Sequence, residues 1–258
     1  MALPVLGKDR GLFGASRAGK TGVMTTTLIT GANKGLGKET ARRLIQAGHT
    51  VYVGARDEAR GRAAADDLGA RYVRIDVTDD ASVAAAVETI AAEGGLDVLI
   101  NNAGVEPRLA QNAIPTAADE TPELMEETFE TNVFGTLRVL RAFLPLLQES
   151  AAPVVVNLSS GLASVSGIAD PASHTHFYPG ISYPASKAVV NVLTVQYAKQ
   201  YPQIRFNAVE PGFTNTDLNG RTGTQSVEEG AEIVVRMAQV GPDGPTGTYS
   251  SIHGPIAW

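Results

Sequence analysis

From residue 25 onward the chain alternates short β-branched runs with longer stretches of helical period, and no other feature constrains its fold so tightly. The pattern predicts strands at 26–30, 50–53, 72–75, 96–100, 154–158 and 204–209. It predicts helices at 36–47, 57–68, 79–93, 123–147, 183–200 and 228–239. In the first of these, Leu36, Thr40, Leu44 and Ala47 fall on one face, as an amphipathic helix requires. Gly48 stands where a helix C-terminal glycine belongs. Strands that alternate with helices pair in parallel through right-handed crossovers. The strands show no polar alternation, which fits a sheet covered on both faces. The expected fold is α/β: a doubly wound parallel sheet in three layers, forming a single domain, with its ligand beyond the carboxyl ends of the strands. A chain of 258 residues is long enough for one such domain.

Composition removes several classes of function. There is no cysteine, which excludes a disulfide scaffold, a thiolate nucleophile and a cysteine-held metal. A net charge of −6 argues against nucleic acid as a partner. No apolar run reaches the roughly 18 residues of a membrane span. The first 23 residues stand apart, with five glycines and a charge of +3 from Lys8, Arg10, Arg17 and Lys20 against Asp9. They lack the apolar stretch of a secretory signal. They read as a flexible tail, or as translated sequence ahead of a start at Met24, leaving residues 24–258 as the domain. The protein is expected in the cytoplasm. Gly14-Ala15-Ser16-Arg17-Ala18-Gly19-Lys20-Thr21 matches the phosphate-loop pattern G-x-x-x-x-G-K-[ST]. That pattern works only between a strand and a helix. Here a poor strand precedes it and a strand follows, so it reads as a chance match.

The second glycine-rich stretch, Thr30-Gly31-Ala32-Asn33-Lys34-Gly35-Leu36-Gly37, has a strand before it and a helix after it. Its glycines let the backbone turn tightly and approach a pyrophosphate resting on the positive end of the helix. The second strand then discriminates between cofactors. An acidic residue at its end accepts from a ribose 2′-hydroxyl, whereas arginine suits a 2′-phosphate. This strand ends Val53-Gly54-Ala55-Arg56, Arg60 follows one helical turn on, and Lys34 adds a third cation. The expected cofactor is therefore NADP(H), with the 2′-phosphate on Arg56.

Tyr183 and Lys187 lie four residues apart at a predicted helix start, with Pro184 between them. The spacing puts both on one face. A phenol near pKa 10 is a poor acid at neutral pH, and a neighbouring ammonium is expected to lower that value.

Taken with Asp76-Val77, Asn101-Asn102-Ala103-Gly104, Asn132, Ser159-Ser160, Tyr183-Pro184-Ala185-Ser186-Lys187 and Pro211-Gly212, the sequence over about residues 25–255 resembles a classical short-chain dehydrogenase/reductase. Lys34, Arg56 and the stretch from Glu228 to Gly247 look most like the carbonyl-reductase branch, which includes monomeric NADPH-dependent reductases. The expected state is a monomer or a homo-oligomer.

The resemblance implies a Rossmann fold and the following roles. Tyr183 is the general acid that protonates a carbonyl oxygen as hydride arrives. Ser160, preferred over Ser159, places and polarises the same oxygen. Lys187 holds the nicotinamide ribose, and Asn132 anchors a water that relays protons to Lys187. Gly31, Asn33, Lys34, Gly35, Leu36 and Gly37 cradle the pyrophosphate. Asp76 and Val77 flank the adenine, and Asn102, Ala103 and Gly104 line the ribose. Pro211, Gly212, Thr214 and Thr216 meet the carboxamide. The implied reaction is NADPH-dependent reduction of a small ketone or aldehyde. A cofactor-binding regulator without turnover is an alternative, although such proteins lack the tyrosine or lysine that this chain has. An isomerase or dehydratase on the same fold is a nearer alternative. One departure is the 23-residue separation of Ser160 and Tyr183, longer than the family usually shows. It creates a loop at 167–182 whose Phe177 and Tyr178 are expected to close over an apolar substrate. His174 and His176 read as loop histidines, since only Asp170 lies near enough to complete a metal site.

Overall fold

A computed structural model describes residues 24–258. The expected tail and its phosphate-loop match lie outside the described residues. The parallel part of the sheet comprises β1 (Thr26–Thr30), β2 (Thr50–Ala55), β3 (Arg71–Arg74), β4 (Val98–Asn101), β5 (Val154–Leu158), β6 (Arg205–Val209) and β7 (Thr248–Ser251). A short antiparallel β8 (Gly254–Pro255) closes the edge, giving the order β3-β2-β1-β4-β5-β6-β7-β8. The connection reverses direction between β1 and β4, so the carboxyl ends of these two strands open a crevice.

Each strand sends alternate residues to opposite faces. Ile29, Val53, Ile100 and Val156 pack on one side against α1 (Gly35–Gln46), α2 (Glu58–Leu68) and α8 (Val227–Ala238). Leu28, Tyr52, Leu99, Val155 and Phe206 pack on the other against α3 (Asp80–Ala92), α5 (Thr136–Glu149) and α7 (Ser182–Gln200). This is the doubly wound, three-layered α/β fold that the alternation predicts. No helix among the described residues is long and apolar enough to cross a membrane.

Three segments differ from the sequence expectation. The single helix at 123–147 is divided into α4 (Pro122–Phe129), a π-helical turn over Glu130–Gly135, and α5. The Thr136 hydroxyl donates to the Asn132 carbonyl at 2.8 Å, and a Cβ at Gly135 would lie 2.8 Å from Val77. The extra residue in the turn accommodates this close packing, and a one-residue widening leaves no mark on hydrophobic period. The loop at 167–182 is partly ordered by a short helix, α6 (Val165–Ala169), capped by Ser164, and by a 3₁₀ turn over His174–Phe177 capped by Ser173. β7 and β8 went unanticipated, because Thr248-Tyr249-Ser250-Ser251 is short and mostly polar.

Candidate active site

A cleft of about 1080 Å³ opens beyond the carboxyl ends of the strands. Its floor at one end is the turn between β1 and α1. Gly31 has φ +66°, in the left-handed region, and a Cβ there would lie 3.0 Å from the Ala103 backbone. A Cβ on Gly37 would meet Asn102 Nδ2 at 2.5 Å and the Gly31 carbonyl at 2.9 Å. Glycine therefore lets β1, α1 and the strand-β4 loop meet with bare backbone facing the cleft. The Asn102 amide ties the junction by donating to the Thr30 carbonyl at 2.7 Å and the Gly31 carbonyl at 3.1 Å. Helix α1 begins without a side-chain cap and without an acidic residue in its first turn. Its N–H groups and dipole thus stay available to an anion. Gly31, Asn33, Lys34, Gly35, Leu36 and Gly37 all line this end, with Ala103 and Gly104 across from them.

Arg56, exposed at the end of β2, lines the same end together with Asp76 and Val77. The three-cation cluster expected there is reduced to one. Lys34 Nζ reaches across the mouth of the cleft to Asp217 at 2.9 Å, and Arg60 sits 3.6 Å from Asp57, the residue that caps α2. Arg56 alone of the three has no ion-pair partner among the described residues. Asp76 accepts from the backbone N–H and hydroxyl of Thr78 at 3.0 and 2.8 Å. Despite burial, these bonds and the Arg56 charge hold its carboxyl below the usual range.

At the other end Ser160, Tyr183 and Lys187 converge on the cleft wall. Helix α7 places Tyr183 and Lys187 on one face, with Lys187 Nζ 5.7 Å from the Tyr183 ring centre. Lys187 is 5% exposed and donates to the Leu158 carbonyl at 2.8 Å. Burial pushes its pKa down to about 8. Tyr183 is shifted upward, contrary to the expectation from the neighbouring ammonium. Burial is the largest cause and the Glu106 charge the next, with the Ser160 hydrogen bond acting in the opposite direction. Ser159 turns away, its hydroxyl directed at the Lys187 carbonyl at 3.4 Å. Asn132 lies behind the wall, fully buried. Its Oδ1 accepts from the Val105 N–H at 2.8 Å, and its Nδ2 donates to the Val105 carbonyl at 2.9 Å and Ser186 Oγ at 3.0 Å. Its side chain is therefore committed to protein partners. Pro211, Gly212, Thr214 and Thr216 form the facing edge after β6, where the Thr214 hydroxyl and the Gln225 amide tie the turn.

Several cleft residues escaped sequence reasoning. The Tyr178 hydroxyl donates to Glu106 at 2.8 Å, and Arg108 pairs with the other oxygen of the same carboxylate at 2.5 Å. Glu210 follows β6, and burial raises its carboxyl pKa. Of the loop histidines, His174 lines the cleft, while His176 bonds through its ring to the Ile168 carbonyl at 2.9 Å. The only sequence signal for Glu106, Arg108 and Glu210 was charge on a loop near a glycine or proline.

The lysine makes a measurable statement about stability. The unfolded chain holds the Lys187 proton up to its ordinary value of 10.5, whereas the native state releases it near 8. Between those values the unfolded state binds more protons, so native stability rises with pH. Denaturant titrations should show the native protein gaining on a Lys187→Met variant by about 1.4 kcal/mol per pH unit between pH 8 and the ordinary lysine value of 10.5, where the gain levels off. A constant difference across that range would contradict the assignment.

A fold of this topology, with a tyrosine–lysine pair beside its switch point, defines a class of nucleotide-binding oxidoreductases, and comparison with known proteins supplies the family. A family model described as short chain dehydrogenase matches residues 25–226. The chain is 34% identical to a (+)-neomenthol dehydrogenase of Arabidopsis thaliana over 82% of its length and 90% of that protein's. It is 33% identical to carbonyl reductase [NADPH] 3 of Mus musculus, over 84% and 91% respectively. A crystal structure of NADPH-bound carbonyl reductase from chicken fatty liver superposes with a TM-score of 0.78 at 26% identity, covering 91% of this chain and 99% of that one. The chain belongs to the short-chain dehydrogenase/reductase family, whose members are nicotinamide-dependent oxidoreductases. The relatives it resembles thus include both a carbonyl reductase and a neomenthol dehydrogenase.

Proposed function

We propose that this protein reduces a small ketone or aldehyde to an alcohol with NADPH, with Tyr183 as the general acid. The observation that carries this reading is the convergence of Ser160, Tyr183 and Lys187 at one end of a single cleft whose other end holds the glycine turn and Arg56. The cleft fits a dinucleotide. It offers bare backbone at Gly31 and Gly37, an uncapped helix terminus for a pyrophosphate, and, for a 2′-phosphate, an arginine without an ion-pair partner among the described residues. NADPH, when bound, supplies the hydride. Tyr183 Oη gives its proton to the carbonyl oxygen, and its upward-shifted pKa keeps that proton in place at neutral pH. Ser160 Oγ donates to the same oxygen and polarises it. Lys187 Nζ, which donates to the Leu158 carbonyl, would hold the nicotinamide ribose. Its pKa near 8 lets it take up or release a proton under working conditions. Asn132 acts as a positioning residue, fixing the Val105 backbone and the Ser186 hydroxyl on α7.

The remaining contacts follow the order of the cleft. Asn33, Lys34, Gly35 and Leu36 would hold the pyrophosphate, and Asp76 and Val77 the adenine; Asn102, Ala103 and Gly104 would border the ribose, and Pro211, Gly212, Thr214 and Thr216 the carboxamide, all of them residues that line the cleft. The substrate end is walled by apolar Val105, Ile114 and Leu162, with Phe177 and Phe213 exposed at its rim, which suits an apolar carbonyl compound.

Cofactor choice is tested at Arg56. Exchanging Arg56 for Glu places like charge against a 2′-phosphate. NADPH affinity in a fluorescence titration should fall about 30- to 100-fold, as loss of a charge-assisted contact predicts, while NADH affinity changes little. Equal effects on both cofactors would remove Arg56 from 2′-phosphate recognition.

A further inference from the structure

The Ser160–Gly161 peptide is held by side chains on both of its polar groups. Its carbonyl accepts from the Tyr249 hydroxyl, as well as from the Ala163 N–H at 2.8 Å. On its other side lies the Glu210 side chain, 3.6 Å from where a Gly161 Cβ would stand, whose carboxyl feels the Gly161 N–H and accepts from the Gly212 N–H at 2.7 Å. The two side chains come from neighbouring backbone, since the Glu210 N–H itself donates to the Ser250 carbonyl at 2.9 Å.

The grip has its own support. Tyr249 is 2% exposed, and its ring lies 5.3 Å from that of Trp258, centre to centre. Trp258 is in turn fixed by the Ser166 hydroxyl, which donates to its carbonyl at 3.3 Å, and the Ile256 N–H donates to the Tyr249 carbonyl at 2.9 Å. The C-terminal segment is thus folded back onto the loop that carries Ser160. Displacing the 160–161 peptide would carry the Ser160 Cα, and with it the side chain, relative to Tyr183 on the same cleft wall. The Ser159 N–H bond to the Val209 carbonyl at 2.8 Å fixes the 158–159 peptide, and the Leu162 N–H donates to Ser160 Oγ at 3.2 Å from the following turn.

We propose that Tyr249 and Glu210 are positioning residues that set the orientation of Ser160 by gripping its following peptide from both sides. This rests on the reading of Ser160 as the residue that polarises the substrate carbonyl. Neither side chain needs to touch the substrate. Burial also raises the Tyr249 pKa, which keeps its hydroxyl a donor across the working range.

The test uses Tyr249→Phe, which keeps the ring and removes only the donor, with Glu210→Gln as a second variant that keeps one acceptor. Two readouts are combined. In the full-length protein without substrate, hydrogen exchange at the amides of residues 161–164 should speed up in Tyr249→Phe and stay unchanged at 31–37. With NADPH and a carbonyl substrate, kcat should fall about tenfold at unchanged NADPH affinity. The same substitution made on top of Ser160→Ala should then cost almost nothing, because residues acting through one group are not additive. An equal loss of kcat in both backgrounds, or unchanged exchange at 161–164, would overturn the proposal. Absence of carbonyl turnover in the parent protein would overturn the proposed function and with it the catalytic purpose of the grip, whereas unchanged exchange would overturn the grip alone.

Discussion

Tyr183→Phe will cost at least about 10³-fold in carbonyl reduction, within the range that a positioned general acid supplies. The substitution removes one oxygen from a side chain that is 8% exposed and keeps the ring against Lys187. It also relieves burial of a hydroxyl, so the fold has no reason to weaken. NADPH affinity should remain within a few-fold of the parent, since the glycine turn, Arg56 and Lys187 are untouched. Steady-state kinetics and a fluorescence titration on the same preparation separate the two effects. Activity within tenfold of the parent would mean that another group gives the proton. Loss of NADPH affinity in step with activity would make Tyr183 a binding residue instead.

Gly37→Val will remove cofactor binding and lower stability together. Its Cβ would stand 2.5 Å from Asn102 Nδ2 and 2.9 Å from both Ala32 Cα and the Gly31 carbonyl. Asn102 is the tie between the β1 end and the β4 loop, donating to the carbonyls of Thr30 and Gly31. Overpacking of this kind costs about 1–3 kcal/mol, and a displaced amide adds about 1 kcal/mol. The melting temperature should drop by roughly 5–15 °C for a domain of this size. NADPH should no longer saturate at concentrations that fill the parent. A variant that melts like the parent and binds NADPH normally would show that the turn has room the geometry denies it.

The parts of the site that were legible in the sequence are those set by local rules. The turn from Thr30 to Gly37 announces itself because glycine is required where a strand must meet a helix through a left-handed residue, as Gly31 does. Tyr183 and Lys187 are legible because helical spacing puts them on one face. What escaped depends on residues far apart in the chain. Lys34 reads as an unpaired cation until Asp217, 183 positions later, is seen beside it. Glu106 and Tyr178 are 72 positions apart, and Ser160 and Tyr249 are 89 apart. No periodicity joins such pairs. Asn132 was placed by family pattern, but its commitment to Val105 and Ser186 depends on the π-helical turn, which adds one residue without changing the hydrophobic stripe. The upward shift of Tyr183 was missed for a related reason. Spacing shows the ammonium but not the burial, nor the carboxylates of Glu106 and Glu210 that also raise it.

The most direct test of hydride transfer to a carbonyl uses NADPH carrying deuterium at the transferable ring position and a panel of apolar ketones and aldehydes. The expected product is an alcohol with one deuterium on the carbinol carbon, formed in equal amount to the NADPH consumed, and lost in Tyr183→Phe. Two results would contradict it. NADPH that binds tightly and is oxidised by no carbonyl would mark a protein that senses the cofactor without turnover. A product isomerised or dehydrated without deuterium would assign Tyr183 to acid–base chemistry of another kind.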